Sequence, residues 1–125
     1  MNLNQITIPS LDVEKATVFY QTLGLHLIVE AFPRYVRFVC PNGDSTFSIH
    51  QVDKLPQGNG ISIYFETEDL DNLVSSLQQK GITFSQLPED KLWLWREAHF
   101  EDLDGNQLIL YHAGKNRKNP PWRVN

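Results

Sequence analysis

The chain repeats itself 57 residues apart, and that repeat constrains its fold more than any other feature. Gln5-Ile6-Thr7-Ile8 runs through Asp12 into a helical pattern that stops at Gly24. Ser62-Ile63-Tyr64-Phe65 runs through Asp69 into a second helical pattern that stops at Gly81. Each half then ends in a turn before one more apolar strand: Asn42-Gly43-Asp44 before Phe47-Ser48-Ile49, and Asp104-Gly105-Asn106 before Leu108-Ile109-Leu110. A repeat of this length is one supersecondary unit that cannot bury its apolar face alone. The spacing predicts an α+β domain of two tandem βαβββ modules, about 3–51 and 61–112, followed by a tail at 113–125. At 125 residues one domain is expected, with Asp53–Gly60 a connection inside it.

Periodicity places the elements. Leu3–Ile8 alternates as a strand, with Ile6 and Ile8 on one side and Gln5 and Thr7 on the other. Ser10 and Asp12 offer helix N-caps, and Val13–Leu23 carries a stripe of Ala16, Phe19, Tyr20 and Leu23. Strands are expected at His26–Glu30, Tyr35–Val39 and Thr46–Gln51. In the second half they fall at Ile61–Glu66, Thr83–Ser85, Trp93–Glu101 and Gln107–His112, with a helix over Leu70–Lys80. A mixed polar face on opening strands that should be central suggests a lined cavity, though such a face also suits a solvated antiparallel sheet.

Charge narrows the partners. Lys115, Arg117, Lys118 and Arg123 make a basic tail, while the remainder has 7 basic against 15 acidic residues. That balance disfavours phosphate backbones, so nucleic acid is not an expected partner. The tail is expected to lie on its own acidic body or on a second subunit, with Trp122 anchored in an apolar notch. No apolar run approaches a membrane span, and Met1-Asn2-Leu3-Asn4 leads into a strand without signal-peptide character. One cysteine, Cys40, permits no internal disulfide, which fits a cytoplasmic location.

Asn4-Gln5-Ile6-Thr7-Ile8-Pro9 with Asp12, then Phe19-Tyr20-Gln21-Thr22-Leu23-Gly24, resembles the opening of the vicinal oxygen chelate superfamily. Phe65-Glu66-Thr67-Glu68-Asp69-Leu70-Asp71 and Asp102-Leu103-Asp104-Gly105-Asn106 resemble its second-half signatures. The resemblance covers Leu3 to His112 and implies a cup-shaped ligand site shared by the modules, and a homodimer. Members of this superfamily include glyoxalase I, bleomycin-resistance proteins, fosfomycin-resistance enzymes and extradiol dioxygenases. In its metal-dependent members four side chains, from the first and fourth strands of each module, hold a divalent ion. Carried onto this chain, those positions are Gln5, Ser48, Ser62 and Ile109.

Gln5 can donate a carbonyl oxygen, a neutral serine hydroxyl is a poor ligand, and Ile109 has no donor atom. No cofactor is therefore expected at the inherited site; a displaced set of Gln5, His50 and Glu66 is the metal-binding alternative. His50, two residues from Ser48, is also the candidate general base. Expected ligand contacts are Gln5, Thr7, Ser48, His50, Ser62, Tyr64, Trp95, Ile109 and Tyr111. Core packing accounts for Trp93 and Trp95 as readily as ligand stacking does. Three functions stay open: a metal-free protein that binds a small, partly aromatic molecule, a glyoxalase-like lyase or isomerase, and a non-catalytic dimeric scaffold.

Overall fold

The computed structural model describes residues 1–124. The chain divides into two compact units: Met1–Asn59 with Asp102–Asp104, and Gly60–Glu101 with the chain from Gly105 onward. In the first unit β1 (Gln5–Ser10), α1 (Val13–Thr22), β2 (His26–Ala31), β3 (Tyr35–Val39) and β4 (Thr46–Gln51) form one module. In the second, β5 (Ser62–Glu66), α2 (Leu70–Gln79), β6 (Phe84–Asp90), β7 (Arg96–Glu101) and β8 (Gln107–His112) form the other. The sheets have orders β1-β4-β3-β2 and β5-β8-β7-β6, so the two modules share one topology. The first and last strands of each module run parallel and the remaining pairs antiparallel. This is the α+β, tandem βαβββ plan read from the repeat.

Each helix exists because its apolar residues recur at helical spacing and its start is marked. Val13, Ala16, Thr17 and Tyr20 are the buried face of α1, and the Asp12 carboxylate accepts from the Lys15 N–H at 3.1 Å. Leu70, Val74 and Leu77 bury the matching face of α2. Gly24 and Gly81 close the helices with φ of 103° and 96°, a conformation an L side chain resists. Ile8, Val36, Phe38, Phe47 and Ile49 make the core beside α1; Ile63, Ala98, Phe100, Leu108 and Leu110 make the core beside α2. Tyr20 is wholly buried, its ring 4.7 Å from that of Phe47 and its hydroxyl 2.6 Å from Asp102 Oδ2. Asp102 Oδ1 accepts from the Asp104 N–H, and Asp104 Oδ1 accepts from the Leu11 N–H.

Four expectations need correction. β1 and β5 are edge strands of their sheets, because β4 and β8 take the neighbouring inner positions. β6 is not confined to Thr83–Ser85 but runs to Asp90, tolerating Pro88 because it lies on an edge. Trp93 and Trp95 therefore do not share a strand. They flank Leu94, whose φ of 67° forms part of the turn into β7. Trp122 is 57% exposed, so its own chain provides no enclosing notch. Arg96 pairs with Asp71 and Asp90. Among the described residues no helix is long and apolar enough to cross a membrane.

Candidate functional site

Strand alternation places the helix-side core on one face of each sheet and the candidate ligand residues on the other. On β1, β3 and β4 that second face carries Gln5, Thr7, Tyr35, Arg37, Ser48 and His50. Register sets Thr7 opposite Ser48, Arg37 opposite Ser48, and Tyr35 opposite His50. The side chains form a continuous hydrogen-bonded chain. Arg37 Nε donates to Tyr35 Oη at 2.9 Å, Tyr35 Oη lies 2.6 Å from Ser48 Oγ, and Gln5 Nε2 donates to Ser48 Oγ at 2.9 Å. Gln5 also donates to Thr7 Oγ1 at 3.2 Å, and its Oε1 accepts from Thr46. Burial works against ionisation of the Tyr35 phenol. The hydrogen bonds to Ser48 and Arg37, with the Arg37 charge, outweigh it and hold the phenol below its usual value.

On the corresponding face of the other sheet, Tyr64, Trp95 and Tyr111 form a three-ring cluster. Trp95 and Tyr111 stack at 4.7 Å, while Tyr64 meets them edge-on at 5.8 and 5.5 Å. Trp95 also packs against Ile109 and Ala113. Burial, then the Glu97 charge, pushes the Tyr64 phenol up; burial, then the Glu66 charge, does the same to Tyr111. Glu97 is 1% exposed and fully engaged: Trp93 Nε1 donates to its Oε2 at 2.7 Å, and His99 Nε2 lies 2.8 Å from its Oε1. A carboxylate only accepts, so His99 Nε2 carries a proton. Glu66 accepts from the Ala113 and Gly114 N–H groups at 2.8 and 3.0 Å and lies 3.7 Å from Arg117 Nε.

The four positions that the family resemblance assigns to a metal do not fit one. Gln5 and Ser48 are in contact, but with each other: the amide oxygen accepts from Thr46 and the amide nitrogen fills the serine. Ser62 and Ile109 occupy equivalent places on β5 and β8 and supply one hydroxyl and one hydrocarbon. Among the described residues no group of three or more His, Cys, Asp or Glu is arranged to hold an ion. Nor does β1–β4 bring together the first two residues of the displaced set. Gln5 lies opposite Thr46 and His50 opposite Pro9, so the two are about 13 Å apart along the strands. Ser48, Ile109 and Tyr111, expected at the ligand surface, are 0%, 5% and 6% exposed and lie beneath their neighbours, so that Tyr64 and Trp95 are the rings of the cluster open to a ligand.

Tyr35, Arg37 and Glu97 were not among the sequence candidates. Alternation could have found each of them: Tyr35 and Arg37 share a parity across a hairpin from Ser48 and His50, and Glu97 precedes His99 by two. His99 and Glu101, two apart on β7, do not act as a pair. Glu101 accepts from Gln107 and His99 turns to Glu97.

Comparison with known proteins accords with this arrangement. The family model described as Glyoxalase/Bleomycin resistance protein/Dioxygenase superfamily matches residues 2–110. The uncharacterized protein YraH of Bacillus subtilis (strain 168) is 30% identical over 127 residues, covering 89% of this chain and 98% of YraH. Among solved structures, a glyoxalase/bleomycin resistance protein/dioxygenase from Nocardioides superposes with a TM-score of 0.79 at 20% identity, over 100% of this chain and 90% of the other. A bleomycin resistance determinant encoded on the transposon Tn5 gives 0.75 at 18% identity, over 90% and 98% of the two chains. Lactoylglutathione lyase from Agrobacterium tumefaciens gives 0.75 at 16%, over 89% and 92%. The structural likenesses establish the fold, and with the sequence matches they identify the chain as a member of the glyoxalase/bleomycin resistance protein/dioxygenase superfamily.

Proposed function

We propose that residues 1–125 form a single domain that binds a small, partly aromatic molecule, without a metal at the inherited positions. The cluster of Tyr64, Trp95 and Tyr111 on the non-helical face of the β5-β8-β7-β6 sheet carries this reading. Rings held against one another present rigid aromatic surface at little further entropic cost, and a flat ligand gains about 0.5–1.5 kcal/mol from each well-placed ring. The donor chemistry of Gln5, Ser48, Ser62 and Ile109 supports the metal-free part. The fold is shared with a bleomycin resistance determinant encoded on the transposon Tn5. A homodimer in the cytoplasm completes the proposal, supported by the edge strands each sheet leaves open.

The test is a fluorescence titration of the tryptophans with flat phenolic and heteroaromatic compounds, alongside elemental analysis of protein purified without chelator. Saturable quenching that disappears in Trp95→Leu and weakens in Tyr64→Ala is expected, with no stoichiometric zinc or nickel. Binding unchanged in both variants, or one metal per chain, overturns the reading. Sedimentation showing only monomer at tens of micromolar overturns the dimer.

One observation favours a second reading, an acid–base enzyme of lyase or isomerase type. Buried Glu97 holds the His99 ring through Nε2 at 2.8 Å, the orienting carboxylate contact that a general base requires. His50, the base expected from sequence, is exposed and has no such carboxylate partner among the described residues. Solvent deuterium exchange next to a carbonyl, catalysed by the wild type and lost in His99→Gln but not His50→Gln, would move this reading to first place.

A further inference from the structure

We infer that Arg37 and Tyr35 bind a carboxylate on the face of the β1-β4-β3-β2 sheet that carries them, so that this face takes a small organic acid. The inference rests on the reading of that sheet face as a ligand-binding surface and adds the charge of what it binds.

The argument is a count of protons. Arg37 Nε–H points into the hydroxyl chain from one end and Gln5 Nε2–H from the other. Between them lie two hydroxyl groups, Tyr35 Oη and Ser48 Oγ, joined by one hydrogen bond of 2.6 Å. Two hydroxyls hold two protons, and their mutual bond uses one. The other has no acceptor among the described side chains. If Tyr35 donates to Ser48, the spare proton sits on a serine that is 0% exposed, where an unsatisfied donor carries the full cost of its desolvation. If Ser48 donates to Tyr35, the spare proton sits on a half-buried phenol that opens to the sheet surface. The second arrangement wins, so Tyr35 accepts from Ser48 and Arg37 and directs its own O–H outward.

Beside that hydroxyl stands the remainder of the Arg37 guanidinium. Only Nε is engaged by Tyr35, and Arg37 Nη1 and Nη2 have no partner among the described residues. The guanidinium carbon lies 5.5 Å from the Tyr35 ring centre, which keeps the two groups side by side. Three donors thus stand beside one another, two of them on the planar fork that matches a carboxylate. Among the described residues of this face there is no competing acid: register places Gln5, Thr7, Thr46, Ser48, His50 and Val39 around the pair on β1, β4 and β3, and sets Val29 and Ala31 of β2 opposite Arg37 and Tyr35. In a chain with 15 acidic against 11 basic residues, an acid-free face with an unpaired arginine singles out an anion. Burial opposes ionisation of the Tyr35 phenol, but its hydrogen bonds to Ser48 and Arg37, with the Arg37 charge, outweigh that and make ionisation easier than usual.

The experiment uses the full chain and two probes of one shape, benzoate and benzamide, followed by NMR of the Arg37 Nε–H and by Trp95 fluorescence. Benzoate is expected to shift the Arg37 Nε–H saturably and to bind at least about tenfold more tightly than benzamide. A charge-assisted hydrogen bond is worth enough for that factor. Arg37→Gln should abolish the preference, and Tyr35→Phe should reduce it with the fold unchanged by circular dichroism. Arg37→Lys, which keeps the charge but loses the fork, should retain only part of it. Equal affinity for the two probes, an Arg37 resonance that does not move, or an undiminished preference in Arg37→Gln overturns the inference. If Trp95 responds equally to both probes while Arg37 is silent, aromatic binding stands and the carboxylate falls. If Arg37 responds and Trp95 does not, the carboxylate stands and the aromatic reading falls.

Discussion

Replacing Tyr20 by Phe isolates one buried interaction. The ring stays, and with it the contacts to Phe19, Phe38 and Phe47 at centroid distances of 5.3, 6.2 and 4.7 Å, so no cavity forms. What disappears is the 2.6 Å hydrogen bond to buried Asp102, whose Oδ1 keeps the Asp104 N–H. A hydrogen bond to a charged acceptor contributes about 1.5–3 kcal/mol, so a loss of about 2 kcal/mol is expected at pH 8. For a domain of this size that lowers Tm by about 6–10 °C. Urea unfolding should show a lower midpoint at unchanged m.

The pH dependence makes the test sharper. Burial first, then the charge of Asp102, raises the Tyr20 phenol far above its ordinary value. In the unfolded chain it titrates near pH 10. Between those two values the folded state holds a proton that the unfolded state has lost, so stability falls as pH rises. The contribution is fully present below about pH 10 and declines by about 1.4 kcal/mol per unit above it. Tyr20→Phe has no such proton. The gap between wild type and variant should therefore narrow from about 2 kcal/mol at pH 8 to about 0.6 kcal/mol at pH 11. A gap that stays constant over that range refutes the reasoning, because the phenol would then ionise as readily folded as unfolded.

Three further outcomes follow from the geometry. Gly24→Ala must place a side chain at a φ of 103°, so it should cost about 1–3 kcal/mol in urea unfolding although no atom obstructs the new methyl. Trp93→Phe removes the donor to Glu97 Oε2 inside a buried environment and should cost about 1–3 kcal/mol; no change would mean the carboxylate finds another donor. Ser62→His with Ile109→Glu restores an imidazole and a carboxylate on adjacent strands. Zinc or nickel affinity should rise measurably by calorimetry, and no gain would show that the positions are misassigned.

The repeat, both helices and the strands β3, β4 and β8 were legible because their signals are local: alternation, an N-cap aspartate, a glycine at the helix end. The β6–β7 region was not. Trp93-Leu94-Trp95 alternates like a strand, yet Leu94 adopts a left-handed conformation that its side chain does not advertise, and Pro88 suggested an end where the edge position tolerates it. The poverty of the inherited metal site could be read from Ile109 alone. The hydroxyl chain could not, since Arg37, Tyr35, Ser48 and Gln5 become neighbours only through the pairing of three strands. Glu97 was hidden for the same reason: a glutamate in an alternating strand reads as solvated until an indole and an imidazole are placed on it.

The grouping of Asp102–Asp104 with the first module has a consequence for synthesis. The partners Tyr20 and Leu11 find there lie 82 and 93 residues downstream. At roughly 5–20 residues per second, a ribosome needs several seconds to supply them after the first helix has emerged. Until then the nascent β1–β4 segment holds a phenol with no carboxylate beside it and a strand end with no cap. The first half to be made is thus not the first half to be finished, and a chain stalled after Asn59 would leave an incomplete module exposed to chaperones and proteases.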